Sequence, residues 1–202
     1  SQIFLIDADN VTLDGLVITN GTGDLVRSSN PVDQVIVQNN IIHNSSGDEG
    51  IQLKQASNST IQYNYIHDTA GDGANYDGSS NSSIRFNEFD HIFSTNGAIF
   101  VDDSEAITIE GNLLNLGHMN ANDGIKVNDF YEDAHSTTSY VINNIIIDSL
   151  QDGITIGRSN VVVSGNDISG SSSNNGVIYV SETVDNIQIT NNSIHDNLAA
   201  QS

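Results

Sequence analysis

Val161-Val-Val-Ser-Gly-Asn-Asp-Ile168 reads apolar-x-apolar-x-Gly-Asn-x-apolar, and the same phrase recurs along almost the whole chain. Ile187-Gln-Ile-Thr-Asn-Asn-Ser-Ile194, Ile107-Thr-Ile-Glu-Gly-Asn-Leu-Leu114 and Val35-Ile-Val-Gln-Asn-Asn-Ile-Ile42 repeat it closely. Thr60-Ile-Gln-Tyr-Asn-Tyr-Ile66, Ser83-Ile-Arg-Phe-Asn-Glu-Phe89 and Tyr140-Val-Ile-Asn-Asn-Ile-Ile146 keep the Asn and its apolar neighbours. Val11-Thr-Leu-Asp-Gly-Leu-Val-Ile18 opens the series with Leu16 in the Asn place. From Leu16 the position recurs at Asn40, Asn64, Asn87, Asn112, Asn144, Asn166 and Asn192, in steps of 24, 24, 23, 25, 32, 22 and 26 residues. A period in the twenties is the mark of a solenoid, in which each repeat buries its apolar side on the next. Alternation within each copy has period two, so the repeats are strands. Leucine-rich repeats share the period, but their Leu-x-x-Leu-x-Leu framework is absent. Two strands joined by a turn and stacked in register make a parallel β-helix; at ~4.8 Å per rung, eight coils span roughly 38 Å.

The recurring Asn has a physical task. A buried amide without partners is costly, but amides stacked in register can donate to one another or to backbone carbonyls. The residue before it is Gly or Asn in most copies (Gly15, Asn39, Gly111, Asn143, Gly165, Asn191), which suits a left-handed bend. On these residues the chain resembles the right-handed parallel β-helix proteins of the pectin-lyase-like superfamily over nearly its whole length. The expected fold is all-β: a right-handed β-helix solenoid of about eight coils with an Asn ladder, with residues 1–202 as a single domain.

Composition narrows function. The chain has 202 residues, a net charge of −21 and five Lys or Arg. No basic patch exists to neutralise phosphates, which argues against nucleic acid and anionic membranes. The carboxylates suit Ca²⁺, a hard cation that takes oxygen ligands; a salty medium is the plainer explanation. There is no Cys, hence no disulfide or thiol chemistry. No run of 18 apolar residues is present, so no helix is expected to span a bilayer. Relatives of the fold begin with a capping helix, whereas this chain opens into Gln2-Ile-Phe-Leu-Ile6 and closes on polar Asn197-Leu-Ala-Ala-Gln-Ser202. The expectation is a piece of a longer secreted or cell-surface protein, or an end that self-associates with another copy. A glycosylation sequon at Asn191, beside the ladder, points to a bacterial source.

A second element recurs between ladder copies: Gly50-Ile-Gln-Leu53, Gly124-Ile-Lys-Val127 and Gly153-Ile-Thr-Ile156, with looser forms Ala98-Ile-Phe-Val101 and Val177-Ile-Tyr-Val180. These read as the first strand of each coil. Asp48, Asp72, Asn96, Asp123, Asp152 and Asn175 precede them as a column, explained mostly by Asx turns. The 32-residue step holds an insertion, Asn128-Asp-Phe-Tyr-Glu-Asp-Ala-His-Ser136, and long loops in compact solenoids often carry function.

Lys54, Lys126 and Arg158 fall on the first-strand face with Asp77, Asp102, Asp103, Asn128, Asp129 and Glu182. Lyases and epimerases of the resembled fold remove the proton α to a uronate carboxylate, with a cation neutralising that carboxylate. The resemblance implies Lys126 as base, Arg158 as substrate or acid contact, and Tyr131 or His135 as proton donor. Lys54, Phe100, Asn128 and Tyr179 would hold polysaccharide, and Asp77, Asp102, Asp103 and Asp129 would hold Ca²⁺. The plainer reading pairs the cations with neighbouring carboxylates on a solvated face. The Asp-Pro-His motif of mannuronan epimerases and any Trp platform are absent. A second column, His43, His67, Asp90, Asn115 and His195, lies three residues past the ladder position, with His91 one residue further on; stacked rungs could bring His43, His67 and His91 together to share a transition metal, or the residues simply line polar turns. Gly71-Asp-Gly-Ala-Asn-Tyr-Asp-Gly78 echoes Ca²⁺-binding nonapeptide repeats once, without tandem copies. Two functions stay open: a carbohydrate-active domain for an anionic, uronate polysaccharide, catalytic or not, and a structural or adhesive module of a large surface protein.

Overall fold

The computed structural model describes residues 2–117, 121–129 and 136–198, and these contain strands and turns but no helix. The strands form three parallel sheets of eight, each visited once per coil, and a two-stranded parallel sheet of Val32–Asp33 and Ala56–Ser57. Sheet A begins with Phe4–Ile6 and Val26–Ser28 and runs through Ile51–Lys54, Ala74–Asp77, Gly97–Asp102, Asp123–Asn128 and Ile154–Gly157 to Ile178–Val180. Sheet B runs from Thr12–Asp14 to Ile187–Thr190, and sheet C from Val17–Thr19 to Ser193–His195.

Period-two alternation explains the core. In sheet A, Ile51, Ala74, Ile99, Ile125 and Ile154 stack in register and are buried. Leu13, Val37, Ile61, Ile84, Ile109, Val141 and Val163 do the same in sheet B. Ile18, Ile42, Ile66, Phe89, Leu114, Ile146 and Ile168 form the column of sheet C. Like residues therefore meet like residues one coil away, which is how a sheet buried on one face gains its packing.

The ladder lies at the turn from sheet B to sheet C. Asn64 donates from its backbone N and from Nδ2 to Asn87 Oδ1, both at 3.0 Å, and Nδ2 also reaches Val37 O at 2.8 Å. The pattern continues through Asn87, Asn112, Asn144 and Asn166 to Asn192, with contacts of 2.9–3.0 Å between rungs. At the first rung Leu16 offers only its backbone N, to Asn40 Oδ1. The residue before each rung is left-handed, from φ 54° at Asn39 to 70° at Gly15 and Gly165. Two shorter ladders that the sequence reading did not find are made of serine: Val35 N donates to Ser59 Oγ and Ser59 N to Ser82 Oγ, while Ala56 N donates to Ser79 Oγ and Ser79 N to Ser104 Oγ.

Candidate functional site

The outer face of sheet A gathers most of the chemistry-bearing residues. Register aligns Gln52, Asn75, Phe100, Lys126, Thr155 and Tyr179 as one outward row. Lys54, Asp77 and Asp102 form the next, and Asn128 pairs with Gly157 further up the sheet. Lys126 Nζ lies 5.9 Å from the Phe100 ring centroid. A cation over an aromatic face is favourable. Phe100, though outward by parity, is only 5% exposed, and Gln52, Asn75 and Thr155 of the same row are buried too. Phe100 is thus no open platform for a sugar, contrary to the expectation; Tyr179, at 37% exposure, still presents its ring.

One carboxylate oxygen from each of Asp77, Asp102 and Asp103 lies within 4.8 Å of the others. Burial pushes Asp102 up to about 6, and the charges of Asp103 and Asp77 add to the effect. One Asp102 oxygen, Oδ1, is buried without a hydrogen-bond partner. Lys54 Nζ sits 3.1 Å from Asp77 Oδ2, so this lysine is held in the surface ion pair of the plainer reading. Asp129 stands apart from the trio; its charge bears on Arg158 instead.

Arg158 corrects a sequence expectation. Its side chain is 1% exposed and donates to backbone carbonyls: Nε to Ser159 O and Nη2 to Thr137 O, each at 3.2 Å, and Nη1 to Ser104 O. A guanidinium so enclosed ties turns together and does not meet a polymer on the face. Burial lowers its pKa, while Asp129 and Glu105 favour the charge. Tyr131 and His135 lie outside the described residues.

Along the leading edge of sheet A runs an acid row that holds Asp72, Asp123 and Asp152 as expected, whereas Asp48 and Asn96 fall one residue before it. Two positions before the aligned Ile51, Ala74, Ile99, Ile125 and Ile154 stand Glu49, Asp72, Gly97, Asp123 and Asp152, with Asp24 below them. Three of the acids have a polar partner three residues on: Arg27 to Asp24 at 3.1 Å, Asn75 to Asp72 at 3.0 Å, Thr155 to Asp152 at 3.1 Å. Burial, then the neighbouring Asp48 and Asp24, pushes Glu49 up to about 10, so a proton and the Arg27 guanidinium settle the charge at this end. Burial also raises Asp72, and lifts Asp123 to about 6 despite the opposing charge of Lys126. On sheet C, His43, His67 and Asp90 stand in one column as the spacing predicts, and His91 lies one residue beyond it. The His43 and His67 rings stack at 4.7 Å with planes 7° apart, a packing arrangement, and His67 Nδ1 sits 2.7 Å from Asp68 Oδ2.

The sequence profile described as "Right handed beta helix region" matches residues 1–129. The chain belongs to this right-handed β-helix family. Among solved structures, this right-handed β-helix is similar to PfbA, a surface adhesin of Streptococcus pneumoniae, at 15% identity and a TM-score of 0.62, over 96% of this chain and 62% of the adhesin. It is similar to the periplasmic alginate epimerase AlgG at 16% identity and a TM-score of 0.61, over 91% of this chain and 44% of AlgG. An alginate lyase from Paenibacillus sp. str. FPU-7 aligns at 14% identity with a TM-score of 0.58, over 96% of this chain and 87% of the lyase. No curated protein matches the sequence. The β-helix thus spans less than two thirds of the adhesin and of the epimerase, and at these identities the likeness is one of fold.

Proposed function

We propose that the outer face of sheet A binds an anionic uronate polysaccharide at the cell surface or outside the cell, with Ca²⁺ bridging protein and polymer. The observation that carries this reading is the convergence of one carboxylate oxygen from each of Asp77, Asp102 and Asp103, together with a buried Asp102 Oδ1 that has no hydrogen-bond partner. A protein of net charge −21 can hold a polyanion only where cations intervene. At the one converging oxygen each, the three carboxylates supply three ligands of a Ca²⁺ shell of about six to eight, which leaves room for water and a uronate carboxylate. The bound ion would neutralise that carboxylate and so acidify the adjacent C–H. Lys126, one row away, adds a protein-borne cation, and Tyr179 on the same row offers a ring for a sugar face. The alginate epimerase and lyase among the structural neighbours fit this choice of substrate class.

If proton abstraction occurs on this face, Lys126 is the base among the described residues, held beside Asp123 and over Phe100. The second reading is an adhesive module without catalysis. It is favoured by the locking of Lys54 and Arg158 into structural contacts, and a surface adhesin is among the neighbours. Affinity electrophoresis in alginate and pectate gels, with millimolar Ca²⁺ or chelator, tests the binding. Retardation that requires Ca²⁺ and is lost in Asp102→Asn is expected; equal mobility in all four gels refutes it. Growth of ultraviolet absorbance from unsaturated uronate then separates a lyase from an adhesive module, and Lys126→Ala must abolish it.

A further inference from the structure

The residue before each ladder Asn adopts the left-handed conformation, and six coils supply Gly or Asn there. Two adjacent coils instead place Tyr63 (φ 55°) and Phe86 (φ 55°) at this corner. Bulky side chains in this region are genuine outliers and carry a backbone cost that Gly or Asn would avoid. Neither ring serves the core: Tyr63 is 54% and Phe86 43% exposed. The rings stack on each other with centroids 5.5 Å apart and planes 13° from parallel. The next coil accommodates them, because Gly111 occupies the equivalent place and a Cβ there would come within 2.6 Å of Phe86 Cδ1. On the other side Asn39 is drawn away by a 2.8 Å hydrogen bond from its Nδ2 to Asp14 Oδ1 in the preceding coil.

Beside this stack runs an open groove of about 410 Å³, lined by Tyr63, Tyr65, Phe86, Glu88, Gly111 and Leu113. Its floor follows the outward row of sheet C, where Tyr65, Glu88 and Leu113 are in register. The lining offers aromatic and aliphatic surface, the Glu88 carboxylate and the Tyr65 phenol, whose hydroxyl points to Asp90 Oδ2 at 3.4 Å. No Lys or Arg lines it.

We propose that this corner is a second carbohydrate site, distinct from the sheet A face, and that it takes a neutral, hydroxyl-rich sugar chain. Pyranose rings carry an apolar C–H face that packs on aromatic rings and a rim of hydroxyls that donate to carboxylates. A uronate would set its charge against Glu88 and Asp90 without a cation to offset it, so the polymer assigned to sheet A is excluded here. The inference does not depend on the sheet A reading, and neither site contains a residue of the other.

The test compares the intact chain with Tyr63→Asn/Phe86→Asn, which installs the residue other coils use. Saturation-transfer NMR is run with neutral gluco-, manno- and xylo-configured hexaoses and with an alginate hexamer. Wild type is expected to transfer saturation to ring C–H protons of at least one neutral hexaose. The double variant should lose that affinity at least tenfold while melting no lower than wild type, because Asn tolerates the bend. The alginate hexamer should show no response that depends on Tyr63 and Phe86. The proposal is overturned if no neutral hexaose binds wild type, if the variant binds as well, or if the variant melts markedly lower, since the rings would then be stabilising packing. Glu88→Gln supplies a second readout: weakened neutral-sugar binding with an unchanged melting temperature is expected, and unchanged affinity counts against the site.

Discussion

Replacing Asn112 by Leu removes the middle of the amide spine while keeping the branched shape and the number of side-chain heavy atoms, and the structure sets the expected cost. Asn112 Oδ1 accepts from both the backbone N and Nδ2 of Asn87, and Asn112 Nδ2 donates to Ile84 O and Asn144 Oδ1, all at 3.0 Å. Four hydrogen bonds among fully buried groups are lost, and the Asn87 N–H is left without a partner. At about 1 kcal/mol net per bond the loss is about 4 kcal/mol, with the orphaned N–H keeping it from being smaller. For a chain of this size that lowers the melting temperature by about 8–16 °C. Asn192 is the internal control. It accepts two bonds from Asn166 and donates one to Val163 O, and it stands part-exposed at the last rung. With three bonds in place of four, and those part-exposed, Asn192→Leu should therefore cost less. Leu16 shows that Leu is accepted where no rung lies below. Circular dichroism melts of both variants supply the numbers, with urea titration to detect any loss of cooperativity in a stacked-repeat protein. A fall under about 1 kcal/mol for Asn112→Leu, or equal falls for the two variants, would refute the reasoning that the spine, and not apolar packing alone, holds the turns in register.

Two further outcomes follow from buried charges. Burial raises Glu49 to about 10 and Asp123 to about 6, and raises Asp72 as well, so the folded chain holds protons that the unfolded chain releases above the ordinary carboxylate range. Stability from these groups is complete below that range and is lost as pH climbs through it toward the folded values. The melting temperature should therefore rise as pH falls from about 8 to about 5, and Glu49→Gln should flatten the slope; a melting temperature constant over this window contradicts it. Arg158→Met should cost roughly 3 kcal/mol, since three carbonyls lose a charged donor, partly offset by relief from burying the guanidinium. Polysaccharide binding by the folded variant should be unchanged, whereas lost binding at an unchanged melting temperature would restore Arg158 to the site.

Much of the fold was legible because a solenoid writes its geometry at a fixed spacing. The phrase ending Gly165-Asn166 located the turn, its left-handed residue and the amide spine together. What the sequence concealed were shifts of a single residue. In the acid row Asp72, Asp123 and Asp152 stand where the sequence placed them, but the register brings in Glu49 and Gly97 where Asp48 and Asn96 were expected. His91 lies one residue past the column of His43, His67 and Asp90, as the spacing implied, and its backbone is left-handed there at φ 50°. Parity did carry the answer for Arg158: with Ile154 and Ile156 inward, Arg158 also turns inward. Phe100 was concealed for another reason, since alternation gives its direction but not its burial, which Gln52, Asn75 and Thr155 of the same row share. The aromatics at Tyr63 and Phe86 were visible as departures from Gly or Asn, and their meaning emerged only when adjacent coils showed the rings stacked and exposed.

Amide hydrogen exchange of the intact chain with alginate and Ca²⁺, set against Ca²⁺ alone and alginate with chelator, examines the binding face directly. Slowed exchange confined to Ala74–Asp77, Gly97–Asp102, Asp123–Asn128 and the turns after them is expected, and only when polymer and ion are both present. Slowing elsewhere, slowing that persists in chelator, or none at all would contradict the assignment of sheet A as the polysaccharide face.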